Sequence, residues 1–189
     1  AAGADKYYTD ATEMNKIHNY LDYVQLMTYD LRGGFQILTG HHTNLYNSTG
    51  DIFRISTDSS VKLFIESGVP NEKLVIGSAF YARAWRYVSN FNNGLFQISK
   101  TVGLFGGNYD VLKSNFINKN GFKRYWDNEA KAPYLFNGCD FLSYDDEESL
   151  EHKCNYLKRN NLLGMMFWHY SADSTGTLLN KIYEELIKI

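Results

Sequence analysis

The sequence predicts an α/β fold, and three observations carry that prediction. Helix-patterned and strand-patterned segments alternate three times along the 189 residues and close on one further helix. Each predicted strand is apolar on both faces, as a buried parallel sheet requires. The alternation breaks only once, between about residues 84 and 140, where Gly, Asn and aromatic residues crowd without a long helical pattern. Such an order of elements builds an α/β barrel or a doubly wound sheet.

The first helix is expected over residues 9–20, capped by Thr9 or Asp10, with Met14, Ile17 and His18 on one side. A β-rich run over 23–29 ends at Asp30, and Gly33-Gly34 breaks it before a polar loop to about Ser56. The second helix spans roughly 57–67, with Val61, Phe64 and Ile65 as its apolar face and Gly68 and Pro70 as stop signals. A second apolar strand covers 73–81. Beyond the irregular segment, Asp145 or Asp146 caps a helix over 147–159 that sets Leu150, Cys154 and Leu157 on one face. A strand over 162–168 follows, and a last helix over 176–188 carries Leu178, Leu179, Ile182 and Leu186. The chain therefore divides into residues 1–83, a small α+β insertion over 84–140, and residues 141–189. Glycines of the insertion, as in Gly103-Leu104-Phe105-Gly106-Gly107, read as turns: neither GxGxxG nor a following Lys-Ser/Thr is present.

Hydrophobic residues at 44 % and charged residues at 21 % fit a soluble globular chain. No apolar run approaches the roughly 18 residues of a membrane span. A net charge of −2 offers no electrostatic handle for nucleic acid or an anionic membrane. Aromatic residues reach 16 %, which suits a Tyr/Phe-rich core and equally a stacking surface for sugars. Cys139 and Cys154 fit one disulfide or two free thiols. His41-His42 is an adjacent pair without metal-ligand spacing, so neither metal nor cofactor is expected. The opening residues carry no basic region and no apolar stretch of a signal peptide, and they read as a start inside a longer chain.

The chemistry gathers where the predicted strands end. The first ends Met27-Thr28-Tyr29-Asp30, the second Phe80-Tyr81-Ala82-Arg83-Ala84-Trp85, the third Phe167-Trp168-His169-Tyr170. Singly, each has a plainer role: Asp30 as a loop cap, Arg83 as its structural partner, Trp168 as core. Together, at the C-terminal ends of three strands, they outline a polar cleft walled by aromatics, where α/β barrels carry their active sites.

These segments resemble family 18 chitinases. Leu26-Met27-Thr28-Tyr29-Asp30 is similar to the Met-x-Tyr-Asp motif of the sixth barrel strand, and residues 40–46 to the loop after it. Residues 69–77 and 80–85 resemble the seventh helix–strand unit, and Gly164-Met165-Met166-Phe167-Trp168 the eighth strand. Residues 1–8 look like the end of strand five. The insertion, with Tyr125-Trp126-Asp127 and Ala132-Pro133-Tyr134, is similar to the α+β insertion of bacterial members. The resemblance covers essentially the whole chain. It implies a half TIM barrel, strands five or six to eight with their helices, carrying the α+β insertion.

One signature is missing. The family's Asp-x-x-Asp-x-Asp-x-Glu, whose Glu is the general acid, has no counterpart here; Asp145-Asp146-Glu147-Glu148 is better read as an acidic helix start. As the resemblance implies, catalysis is substrate-assisted, the sugar's N-acetyl oxygen attacking the anomeric carbon. Tyr29 would then bond the acetamide oxygen and Asp30 would shape the same subsite. Trp168 would floor the distorted sugar, with Tyr81, Arg83, Trp85 and Met27 lining the substrate. The expected ligands are chitin or N-acetylglucosamine oligosaccharides, and secretion is expected from the bacterial relatives. Three readings follow: a portion of a chitin-hydrolysing enzyme, inactive or nearly so alone; a non-catalytic oligosaccharide-binding module; or a structural piece. Unpaired sheet edges imply either a homodimer or association with an N-terminal half.

Overall fold

The computed structural model describes residues 1–187, so the expected helix end at Lys188 lies outside the described residues. The chain opens with α1 (Lys6–Asp10) and α2 (Met14–Ile17), then β1 (Val24–Leu26), a long loop, α3 (Thr57–Glu66), β2 (Leu74–Ala79) and β3 (Tyr81–Trp85). It continues through β4 (Leu104–Asn108), α4 (Tyr109–Asn115), β5 (Lys123–Asp127), β6 (Ala132–Phe136) and β7 (Phe141–Ser143). It closes with α5 (Glu147–Arg159), β8 (Gly164–Trp168) and α6 (Thr177–Ile187).

The strands form two sheets. β1, β2 and β8 are parallel, in the order β1-β2-β8, with Leu26 opposite Ile76 and Ala79 opposite Trp168. Ala2 adds one parallel bridge to Leu26 on the outer side of β1. The second sheet is antiparallel, in the order β4-β3-β7-β6-β5. The α/β class is therefore as the alternation predicts. The second sheet reaches outside residues 84–140, because it takes in β3 and β7.

The run expected as one strand over 73–81 is divided between the sheets at Phe80. Its N–H donates to the carbonyl of Trp168 (2.8 Å), its carbonyl accepts from the N–H of Tyr109 (2.8 Å), and its ring stacks on Phe167 with centroids 4.5 Å apart. Bonded to elements on either side, Phe80 turns the chain from one ladder into the other.

Local chemistry sets most helix ends. Ser56 and Asp146 cap α3 and α5, each in a reciprocal box with a serine three residues on. Buried Asp173 accepts from the backbone N–H groups of Thr177, Leu178 and Leu179, satisfying the first turn of α6. The helix expected over 9–20 is not continuous: it is α1, α2 and a 3₁₀ turn over His18–Tyr20, with Asp5 rather than Thr9 or Asp10 as first cap. Met14 is its one buried side chain there and Ile17 is exposed, so packing is too sparse to carry a longer helix. On α3, Val61 and Phe64 are buried but Ile65 faces water.

One apolar core gathers Leu26, Leu45, Phe64, Ile76 and Leu157 between the parallel sheet, α3 and α5. A second joins Phe80, Leu112, Leu142, Leu150 and Ile182, tying the antiparallel sheet to α4, α5 and α6. A third, with Trp85, Tyr134, Phe136 and Phe141, lies under the loop after β3. Between the sheets Lys153 and Asp145 form a fully buried ion pair (2.6 Å), and Asp145 also accepts from Ala79 N–H, Thr43 Oγ1 and Ser149 Oγ. Such a pair is tolerable only when every lone pair is engaged. Both cysteines are unpaired, Cys139 exposed and Cys154 buried.

Candidate active site

The site begins where β1 runs out. Thr28 Oγ1 donates to the carbonyl of Gly77 and accepts from its N–H, both at 2.8 Å, which extends the β1–β2 contact beyond the ladder. A Cβ on Gly77 would stand 2.9 Å from the Tyr29 ring and 2.8 Å from the Leu26 carbonyl. Glycine there lets Tyr29 lie directly against β2. The next residue, Asp30, turns through φ 56°, a region that Asp tolerates better than most side chains.

That turn delivers the Asp30 carboxylate to β3. Tyr81 Oη donates to Oδ1 at 2.7 Å, and Arg83 grips the group with two bonds, Nε to Oδ1 and Nη2 to Oδ2, both 2.7 Å. Paired charge-assisted bonds of this kind fix orientation as well as charge. Burial alone would raise the Asp30 carboxyl, but the adjacent His42 ring and the bonds from Arg83 and Tyr81 outweigh it and hold the group well below the usual carboxylate range. The same contact keeps Arg83 charged. Burial, reinforced by Asp30, pushes the Tyr81 hydroxyl well above its ordinary value. Tyr29 is raised for the same two reasons, burial first. Its ring meets Tyr81 edge-on at 6.3 Å, and its hydroxyl has no protein partner among the described residues. At neutral pH the rim thus holds one fixed carboxylate, one guanidinium and an uncommitted phenol donor.

Trp168, the last residue of β8, is 58 % exposed, and the peptide bond to His169 is cis. It borders a cavity of about 210 Å³ with Asp30, Tyr81, Arg83, Phe105 and Asn108. Met27, also exposed, borders a neighbouring cleft of about 410 Å³ with Tyr29, Asp30, Phe35 and Gln36. A hollow of about 500 Å³ between α1 and α3 touches none of these rim residues.

Six of the seven residues singled out from the sequence therefore border these two adjoining cavities: Met27, Tyr29, Asp30, Tyr81, Arg83 and Trp168. Trp85 does not. It has no exposed surface; its indole N–H donates to the carbonyl of Gln36 (3.0 Å) and its ring packs edge-on against Phe141. Two places further along β3 than Arg83, it points into the core beneath the loop rather than into the cleft. Sequence reasoning also passed over Phe105, Asn108 and His42. Phe105 and Asn108 lie on β4, paired with β3 through Arg83 opposite Phe105 and Tyr81 opposite Asn108, and strand pairing across an insertion leaves little local signal.

Polar and aromatic side chains gathered beyond the carboxyl ends of parallel strands have the layout of an α/β enzyme site. Residues 1–173 match the glycosyl hydrolases family 18, and the chain belongs to that family. It superposes with a TM-score of 0.97 on a family 18 N-acetylglucosaminidase from Paenibacillus barengoltzii, 59 % identical over 98 % of this chain and 55 % of that one. It is 37 % identical to chitinase A1 of Niallia circulans over 98 % of this chain and 29 % of that protein. For chitinase B of Serratia marcescens the identity is 30 %, over 92 % of this chain and 44 % of that protein. The chain spans from 29 % to 55 % of the length of these relatives.

Proposed function

We propose that this chain supplies the acetamide-holding wall of a site that cleaves chitin or N-acetylglucosamine oligosaccharides, within a partial barrel made of strands five or six to eight. The observation that carries the reading is the Tyr29–Asp30–Tyr81–Arg83 constellation facing an exposed Trp168. The uncommitted Tyr29 hydroxyl donates to the acetamide oxygen and points it at the anomeric carbon. Asp30, ionised and immobile, shapes the acetamide subsite and favours the positive charge that develops there. Trp168 stacks under the sugar ring, and Met27, Tyr81 and Arg83 close the wall. The proton for the leaving group comes from the Glu of an Asp-x-x-Asp-x-Asp-x-Glu segment, a motif this sequence does not contain. That strand, belonging to an N-terminal half, pairs along an unpaired edge of the parallel sheet; a homodimer of this chain would cover the edge without supplying the Glu. Secretion, the location expected from the resemblance to bacterial family members, goes with this reading.

Titration of the 189-residue chain with N-acetylglucosamine oligosaccharides, followed by calorimetry and tryptophan fluorescence, tests the reading. Tyr29→Phe and Trp168→Ala are each expected to weaken binding by about tenfold, on the order of 1.4 kcal/mol. Absence of binding at millimolar ligand would sink it. The missing motif favours a second reading, an oligosaccharide-binding module without catalysis. Release of reducing sugar by a longer chain that carries the motif decides for the enzyme.

A further inference from the structure

His42, half of an adjacent histidine pair without metal-ligand spacing, packs directly against Asp30. Its side chain is fully buried, with its ring centroid 5.2 Å from that of Tyr81. Its N–H donates to Ser143 Oγ (2.9 Å), its carbonyl accepts from Leu31 N–H (3.0 Å), and its Nδ1 accepts from Asp30 N–H in a long bond of 3.4 Å. Nδ1 also stands 3.6 Å from Asp30 Oδ1, the oxygen that takes both the Tyr81 hydroxyl and Arg83 Nε–H. A ring nitrogen that accepts from a backbone N–H carries no proton, so the hydrogen of the neutral ring is assigned to Nε2. Nε2 is buried without a protein partner among the described residues. Asp30, at φ 56°, needs support from its surroundings to stay in that conformation.

We propose that His42 is a positioning residue: neutral, its Nδ1 holds the turned Asp30 backbone and leaves Oδ1 to Tyr81 and Arg83; protonated, it becomes a direct ion-pair partner of Asp30. In the second state a proton from solvent occupies Nδ1, the bond from Asp30 N–H is lost, and Nδ1–H donates to Oδ1 in competition with the Tyr81 hydroxyl. The groups facing the ring are Asp30 on the loop after β1, Tyr81 and Arg83 on β3, and Asp145 just before α5, itself paired with Lys153. Burial holds the imidazole below the ordinary histidine value although Asp30 and Asp145 oppose it, so the neutral state prevails at pH 7. The consequence for sugar binding rests on the function proposed above; the His42–Asp30 contact does not.

Nitrogen-15 NMR of the histidine rings in the free 189-residue chain reads the contact directly. At pH 7 His42 is expected to show a bare Nδ1 and a protonated Nε2. Acidification should shift the Asp30 amide and the Tyr81 ring together with the His42 titration. His42→Asn places an oxygen acceptor where Nδ1 sits and cannot titrate. It should keep the pH 7 position of the Asp30 amide and abolish its acid shift, whereas His42→Leu should displace that amide at pH 7. With N-acetylglucosamine oligosaccharides, wild-type affinity should fall on the order of fivefold as His42 charges, and H42N should stay flat. A proton on Nδ1 at pH 7, or an acid shift of the Asp30 amide that survives in H42N, overturns the inference. If no variant binds sugar at any pH, the functional reading fails, and the ring-nitrogen and amide measurements still decide the role of His42.

Discussion

β6 is buried at all five of its residues and β2 at all six, whereas β8, hydrogen-bonded to β2 from Gly164 to Trp168, is only half-buried and ends on a largely exposed indole. Strand pairing alone does not bury a strand; a cover on each face does. The inner strands β6 and β7 of the antiparallel sheet have both: α4, α5 and α6 pack one face, and the loop after β3 closes the other around Trp85, while the edge strands β4 and β5 stay partly exposed. The parallel sheet has a covered side toward α3 and α5, and tips where Met27, Tyr29, Asp30 and Trp168 meet solvent. The packed interior and the exposed rim are thereby held in different parts of one small molecule, and two tryptophans mark the division.

Exchanging those tryptophans gives the largest contrast. Trp85→Ala should cost about 3–5 kcal/mol in urea unfolding, because nothing can collapse into the space of a fully buried indole. A loss below about 1 kcal/mol would show that the antiparallel sheet does not depend on its covered face. Lys153→Met should cost a comparable 3–5 kcal/mol, roughly, by leaving Asp145 charged and unpaired in the interior. The double change Lys153→Met with Asp145→Asn should recover part of it, and no recovery would mean that packing rather than charge is at stake.

A smaller effect follows from Asp127 on β5. Burial would raise its carboxyl, but bonds with His41 and the Ala130 N–H bring it down to about 2 from an ordinary value of 3.8. A folded value below the unfolded one means stabilisation that is complete above pH 3.8 and lost as pH falls toward 2. The stability gap between wild type and Asp127→Asn should therefore narrow by about 2 kcal/mol between pH 5 and 2, measured by thermal unfolding. A gap that is constant across this range would refute the assignment. The smallest change in stability is expected for Trp168→Ala, within about 0.5 kcal/mol, because the indole is largely exposed.

The same division explains what could be read from the chain. Where a side chain's role is set by neighbours close in sequence, the signal is legible: α5 spans 147–159 as its acidic start and its Leu150, Cys154 and Leu157 face predict, with Asp146 rather than Asp145 as its cap. The rim was legible too, because Tyr29, Asp30, Arg83 and Trp168 break the apolar pattern of their strands. Trp85 looked identical to a rim residue, and only the loop folded over β3 decides its fate. The polar loop that runs to about Ser56 carries no local sign of burial, yet His41, His42, Thr43, Asn44 and Leu45 are all buried. Several of their polar groups are engaged by partners far along the chain: Ser143 for the His42 N–H, Asp145 for Thr43, Asp127 for His41 Nε2. Long-range satisfaction of polar groups leaves no periodicity to detect. The broken helix over 9–20 failed for the opposite reason: its pattern was adequate, but there was too little on the other side to pack against.

Arg83 stands on β3 with β4 on one flank and β7 on the other, opposite Phe105 and Ser143. The chain leaves the site along β3 and re-enters beside it along β7, so everything between closes upon itself like a drawer on fixed runners. The exposed turns at 118–121 and 137–139 can lengthen, shorten or change composition while the guanidinium keeps its two bonds to Asp30. The architecture leaves room for the walls around the cleft to be remodelled about a centre whose geometry is already secured.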